Sequence, residues 1–161
     1  MFVAHDIECG VDFATARPAL AGLVADRGLV DASRMAYQEG LASLGLDCPR
    51  LARVRTLTCT QGCGQASAGL RWETAGVSAG LFPVLDADLT LSPVGRSSTR
   101  LALAGVYRPV FGGLDSDLYP AAVDRVADLT VRALLRTIAG YLTGSRAIFP
   151  PVHIPRRAKA S

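Results

Sequence analysis

The amino-acid sequence predicts one α+β domain in which a curved antiparallel sheet wraps around a long C-terminal helix. Four strand-like runs follow one another with short links, which favour an antiparallel meander because parallel strands need long crossover connections. One strand and two short helices precede the meander, and a long amphipathic helix follows it. The chain of 161 residues is long enough to enclose a sizeable core.

The first strand is predicted at residues 2–9, where one set of alternating positions is mostly apolar. Successive side chains of a strand point to opposite faces, so the alternation defines an inner and an outer side. The inner side carries Val3, His5, Ile7 and Cys9. Of these, His5 is the one group suited to acid–base chemistry near neutral pH.

Two short helices are predicted after this strand. Asp12 is expected to cap the first helical stretch, since its carboxylate can accept a hydrogen bond from a first-turn N–H. Pro18 fits the first turn of the segment that runs to Ala25. Asp31 is the predicted cap of a second helix, which Gly45 ends.

The four strands of the meander differ in how clearly they are predicted. The third is the clearest, because leucine and alanine alternate with aspartate, threonine and serine from Leu85 to Ser92. Residues 93–95, Pro-Val-Gly, are predicted to turn the chain into the fourth strand. The predicted strands are Leu51 to Cys59, Ala66 to Thr74, Leu81 to Ser92, and Ser98 to Arg108.

The long helix is predicted from Leu118 to Leu142, with Pro120 in its first turn. At helical period its charged residues form one outer stripe, consisting of Asp124, Arg125, Asp128, Arg132 and Arg136. The opposite side is mostly small or branched and consists of Tyr119, Val123, Val126, Ala127, Thr130, Leu134, Ile138 and Tyr141. Small side chains on that side leave space beside the sheet, which is either a ligand cavity or close helix–sheet packing.

Charge and hydropathy exclude some classes of protein. Half of the residues are hydrophobic and the mean hydropathy is +0.28, yet no apolar run reaches the roughly 18 residues of a membrane span. The N-terminus carries acids where a signal peptide has basic residues, so we expect a cytoplasmic protein without stable membrane insertion. A nucleic-acid groove needs a basic stripe. Here the basic surplus lies in the last residues, and the rest of the chain holds 13 basic against 14 acidic residues, so no nucleic-acid partner is predicted.

The sequence GVSAG at residues 76–80 matches the Gly-x-Ser-x-Gly pattern of hydrolase nucleophiles. That pattern needs a helix directly after the serine, whereas a strand is predicted here. The two histidines are His5, in the first strand, and His153, near the C-terminus. Neither is well placed to act as the general base of Ser78. We therefore predict that Ser78 is a loop residue and assign no catalytic residue.

The four cysteines are Cys9, Cys48, Cys59 and Cys63. In a cytoplasmic protein they are expected to be reduced thiols. The spacing Cys59-x-x-x-Cys63 is neither a redox C-x-x-C pair nor half of a paired zinc motif, because no second Cys/His pair follows. The sequence predicts neither a metal site nor a cofactor.

The order of elements and several phrases resemble the START-like helix-grip superfamily, also called SRPBCC, which includes polyketide cyclases/dehydrases and lipid-transport proteins. The phrases are LRWETAG (70–76), LFPVLDADLTLSPVG (81–95), TRLALAGVYRPVFGGLD (99–115) and DRVADLTVRALLRTIAGYL (124–142). They are most similar to small actinobacterial members. The loop reading YRPVFGG (107–113) departs from the doubled proline expected there. The resemblance implies a helix-grip fold, which we expect over residues 1–144. The composition of residues 145–161 predicts a Pro-rich basic tail.

The resemblance also implies that an apolar ligand is held between the sheet and the long helix. The high hydropathy and the small residues Ala127, Thr130 and Thr137 agree with that reading. We predict binding or carriage of a small hydrophobic molecule by a monomer or homodimer. A cyclase or aromatase that uses the same cavity, and an interaction protein that acts through the Pro-rich tail, remain alternatives. The predicted cavity residues are His5, Trp72, Leu89, Leu101, Leu103, Tyr107, Tyr119, Val123, Ala127, Thr130 and Leu134.

Overall fold

A computed structural model of the protein describes residues 2–42, 53–62, 64–73, 84–108 and 119–145. It contains five strands and three helices in these ranges. They are β1 (Phe2–Cys9), α1 (Phe13–Ala25), α2 (Gly28–Ala42), β2 (Arg53–Gly62), β3 (Gln65–Glu73), β4 (Val84–Val94), β5 (Ser98–Arg108) and α3 (Tyr119–Leu142).

The five strands form one antiparallel sheet in the order β1-β5-β4-β3-β2. The sheet is curved and open. The first strand of the chain therefore pairs with the last one, and β1 and β2 lie at opposite ends of the described sheet. Helix α3 packs against β1, β5 and α2, while α1 reaches β2, β4 and β5. The predicted α+β helix-grip architecture is confirmed.

Asp12 caps α1, as predicted. Its carboxylate accepts hydrogen bonds from the backbone N–H of Thr15 at 2.9 Å and from the Thr15 hydroxyl at 2.8 Å. The expectation that Pro18 lies in a first turn is wrong, because α1 begins at Phe13 and continues through the proline. Proline removes one helical hydrogen bond, but here the neighbouring turns are held by buried apolar side chains such as Leu20.

Helix α2 begins before Asp31, which therefore lies in its first turn instead of capping it. The chain reverses tightly between the two helices, since Arg27 has a φ of 61°. A Cβ at Gly28 would lie 2.6 Å from Cδ1 of Leu23, so a glycine permits this close approach. The predicted helix end at Gly45 lies outside the described residues.

The predicted strands are all present, and their ends differ by no more than a few residues. The fourth run, Ser98–Arg108, has the predicted bounds. Pro93 and Val94 stay within β4 instead of forming the turn. The turn follows at residues 95–97 and begins with Gly95, whose φ is 73°. A left-handed conformation of this kind favours glycine.

Helix α3 ends in a Schellman motif. The N–H of Ser145 donates to the carbonyl of Gly140 at 2.9 Å, and the N–H of Gly144 donates to the carbonyl of Tyr141 at 3.0 Å. Gly144 has the left-handed φ of 69° that this cap requires. The outer stripe is confirmed, since its four other members are exposed and Asp128 is half-buried.

The buried side of α3 is wider than the helical period predicted. Val131, Ala133 and Leu135 are buried as well, and α2 packs against this helix in addition to the sheet. The two helices are also joined at their surface, where Nη2 of Arg136 lies 2.9 Å from Oε1 of Glu39. No helix among the described residues is both long enough and apolar enough to span a membrane.

Candidate functional site

The strand register sets which side chains share the concave face. In the first row of this face, Trp72 of β3 pairs with Leu85 of β4. The next inward-facing row consists of Leu70, Ala87, Gly105 and Val3, and the row after it of Ala68, Leu89, Leu103 and His5. In the middle of the sheet, the second row therefore has smaller side chains than the third: Ala87 and Gly105 instead of Leu89 and Leu103.

The contacts of α3 show which end of the helix lies over which row of the sheet. Asp128 contacts His5 in the third row, and farther along the helix Leu135 shares a groove with Ile7 in the fourth row. The start of α3 therefore lies toward the row of Trp72. Its last turns lie over the rows of Leu101 and Cys9.

Four of the predicted cavity residues lie in the closely packed part of the core. They are completely buried members of one hydrophobic cluster and consist of Leu89, Leu101, Leu103 and Leu134. Ala127 and Thr130 are buried nearer the start of α3, and Trp72 is buried in the end row of the sheet. The side chains of Tyr107, Tyr119 and Val123 lie outside the described residues. That these residues line one cavity stays a prediction.

Burial is not uniform along the concave face. Ala87 is 8% exposed and Trp72 is 5% exposed, whereas Leu89 is fully buried. Leu70 and Leu85, which lie in the same two rows as Ala87 and Trp72, are 1% and 2% exposed.

Two buried polar atoms on this face lack hydrogen-bond partners within the described part of the chain. They are Nε1 of Trp72 and Oγ1 of Thr130. Two other buried helical hydroxyls do have partners, since Ser33 donates to the carbonyl of Leu29 at 2.7 Å and Thr137 to that of Ala133 at 2.9 Å. Leaving a buried donor unpaired costs about 1–3 kcal/mol, so these two groups call for a partner.

His5 faces the flank between β1 and α3 instead of the closed core. Its Nε2 lies 2.6 Å from Oδ1 of Asp128, and Oδ2 of Asp128 lies 3.0 Å from Nε of Arg132. One carboxylate therefore orients both an imidazole and a guanidinium. The sequence placed Asp128 on the outer stripe, which is correct, but gave no signal that the edge strand β1 lies beside that stripe.

A groove of about 360 Å³ opens to solvent on this flank. Its floor is apolar and its rim is largely basic. The lining residues are His5, Asp6, Ile7, Arg132, Leu135 and Arg136. Of the predicted cavity residues, His5 lines this groove.

Cys9 is buried, and burial raises the pKa of its thiol, with a further contribution from the charge of Glu8. Within the described residues, no three His, Cys, Asp or Glu side chains are placed to hold a metal ion. The side chain of Cys59 and the whole of Cys48 and Cys63 lie outside the described residues, as does GVSAG with Ser78. The predictions for these residues remain untested.

Comparisons with known proteins give distant structural similarities. No family model matches the sequence, and no curated protein matches it significantly. The aromatase/cyclase ZhuI from Streptomyces sp. R1128 is 14% identical with a TM-score of 0.45, over 88% of this chain and 93% of that one. Ara h 8.0201 is 11% identical with a TM-score of 0.42, over 89% and 98%.

A norcoclaurine synthase of Thalictrum flavum, solved as a point mutant with a transition-state analogue, is 11% identical with a TM-score of 0.31. The match covers 84% of this chain and 94% of that one. These similarities are too distant to transfer a ligand or an activity. The chemistry of the site therefore rests on the residues of this chain.

Proposed function

We propose that the protein binds a small, mainly apolar molecule between the sheet and α3, at the end of the core that holds Trp72, Ala87, Ala127 and Thr130. The observation that carries this proposal is that two buried polar atoms, Trp72 Nε1 and Thr130 Oγ1, have no hydrogen-bond partner in the part of the chain that the structure describes. A ligand that presents an acceptor to them would remove the free-energy cost of leaving them unpaired.

The small residues of this region support the same placement. Ala87 and Gly105 lie next to each other in the row beside Trp72, and Ala127 lies on the facing helix. Such side chains occupy less of the space between helix and sheet than the leucines of the following rows. At this end of the core, a ligand would therefore occupy the volume that larger side chains occupy elsewhere. The leucine rows would stabilise the fold.

The two unpaired atoms also restrict the chemistry of the ligand. An indole N–H only donates, and a threonine hydroxyl donates or accepts. The ligand is accordingly an apolar body that carries at least one acceptor oxygen, such as a ketone or an aromatic carbonyl compound. A pure hydrocarbon would leave both groups unpaired and would bind more weakly.

Trp72 is the single tryptophan of the chain, so its indole N–H gives one NMR signal at the proposed site. We expect 2-acetylnaphthalene to shift this signal and to bind more tightly than 2-ethylnaphthalene, which has the same rings but no acceptor. Native mass spectrometry of protein purified from its own host should detect a co-purifying apolar ligand. If neither naphthalene moves the indole signal and no ligand co-purifies, the proposal is wrong.

A cyclase or aromatase activity is the second candidate, and the contact of His5 with Asp128 favours it. An imidazole oriented by a carboxylate is a common general base, because the carboxylate fixes its tautomer. Such a base could remove the acidic proton between two carbonyls of a polyketide-like substrate. Loss of cyclisation in His5→Phe and Asp128→Asn, but not in the exposed control Asp124→Asn, would support this activity. A wild-type rate equal to the spontaneous rate would exclude it.

A further inference from the structure

The groove between β1 and α3 is separate from the interior site, and the residues around it suggest a different ligand. Ile7 and Leu135 give it an apolar floor, while His5, Arg132 and Arg136 stand at its rim. Its volume of about 360 Å³ falls within the range of small-molecule sites.

The two arginines retain hydrogen-bonding capacity toward the groove. Arg132 donates through Nε to Asp128, and Arg136 donates through Nη2 to Glu39 at 2.9 Å. A guanidinium has five N–H donors, and within the described residues the others on these two side chains have no protein acceptor. Arg132 and Arg136 are also one helical turn apart, so both can reach the same anion.

The acidic groups Asp128 and Asp6 beside the groove each have basic partners. Asp128 is shared between His5 and Arg132, and it holds both at the rim. Asp6 also lines the groove, and its Oδ2 lies 3.5 Å from Nε of Arg100, which offsets its charge. The groove therefore presents the remaining guanidinium N–H groups of Arg132 and Arg136 to an incoming ligand, above an apolar floor.

We propose that this groove is a second binding site, specific for a small amphipathic carboxylate. The carboxylate lies between the guanidinium groups of Arg132 and Arg136, which can hold it with charge-assisted hydrogen bonds. The apolar body lies on Ile7 and Leu135. This site does not depend on the interior one, because the two share no residue.

The experiment is an NMR titration with 2-naphthoate, read at the backbone amides of residues 5–7 and 132–136 and at the Trp72 indole. We expect the groove amides to shift. The double variant Arg132→Gln/Arg136→Gln should weaken binding by about tenfold or more, the loss expected for a charge-assisted hydrogen bond. Arg125→Gln is the matched control, since Arg125 is exposed on the same helix outside the groove. High salt should weaken binding as well.

Three results would overturn the proposal. One is that the groove amides do not move, another is that the double variant binds like the wild type, and a third is that Arg125→Gln weakens binding equally. A shift of the Trp72 indole alone would exclude the groove and support the interior site. A shift of the groove amides alone, together with no response of the indole to 2-acetylnaphthalene, would support the groove and exclude the interior site.

Discussion

Gly105 lies so close to Ala87 in the neighbouring strand that a side chain at the glycine has no room. A Cβ at Gly105 would lie 2.6 Å from the Ala87 Cβ and 2.6 Å from the carbonyl oxygen of Asp86. These two residues are direct partners in the register of β4 and β5. The close approach brings the two strands together in the row beside Trp72, next to the proposed interior site.

Gly105→Ala should therefore destabilise the protein. The nearest atoms include backbone, which cannot move away as a flexible side chain can, so we expect a loss of about 1–3 kcal/mol or more in the free energy of unfolding. Gly22→Ala is the control, because a Cβ there meets no atom within 4 Å and the position is helical. That change should stabilise the protein by about 0.5–1 kcal/mol. Urea denaturation measures both, and equal effects of the two changes would contradict the close contact.

Thr130→Val should raise stability while it weakens ligand binding. It removes a buried hydroxyl that has no partner among the described residues, at nearly constant volume, and we expect a gain of about 1 kcal/mol. Thr137→Val is the matched control, because that hydroxyl donates to the carbonyl of Ala133 and its loss should give no gain. The binding of 2-acetylnaphthalene should fall only in the first variant. A stability loss in Thr130→Val with unchanged binding would argue against the interior site.

Asp12 should make the stability of the protein depend on pH in the acid range. Hydrogen bonds from the N–H and hydroxyl of Thr15 lower the pKa of this carboxyl below its ordinary value of 3.8. A lowered folded pKa means that the stabilisation is complete above the unfolded pKa and is lost as the pH falls through the folded pKa. Asp12→Asn keeps a capping oxygen but does not titrate, so its deficit in melting temperature relative to the wild type should shrink below about pH 4. A pH-independent deficit would contradict this.

A chain that ends at Ser145 should fold and keep both binding sites. We propose that residues 1–144 form the domain and that the Pro-rich basic segment is a tail. Ser145 is retained because its N–H completes the cap of α3 on Gly140. Thermal unfolding and the two naphthalene titrations test this. A large fall in melting temperature, or loss of a dimer seen with the full chain, would show that the segment beyond Ser145 is structural.

Local sequence patterns were enough to predict most of the fold. Alternation placed Leu85 and Leu89 on the inner face of β4, and a capping carboxylate at Asp12 marked the start of α1. They failed at Pro18, where buried neighbours keep a helix continuous through a residue that disfavours it. They also failed at Asp31, because the tight reversal at Arg27 starts α2 before the expected cap.

The sequence by itself determined which residues face inward and outward on each strand and on α3, because those positions follow from periods of two and 3.6 residues. Tertiary structure alone decided which faces meet. It brought Asp128 to His5 across 123 positions of sequence and set Ala87 against Gly105. It also left the hydroxyl of Thr130 without a partner in the described ranges, while that of Thr137 has one. Distances between separate elements depend on how whole faces pack, and no local period of the sequence encodes them.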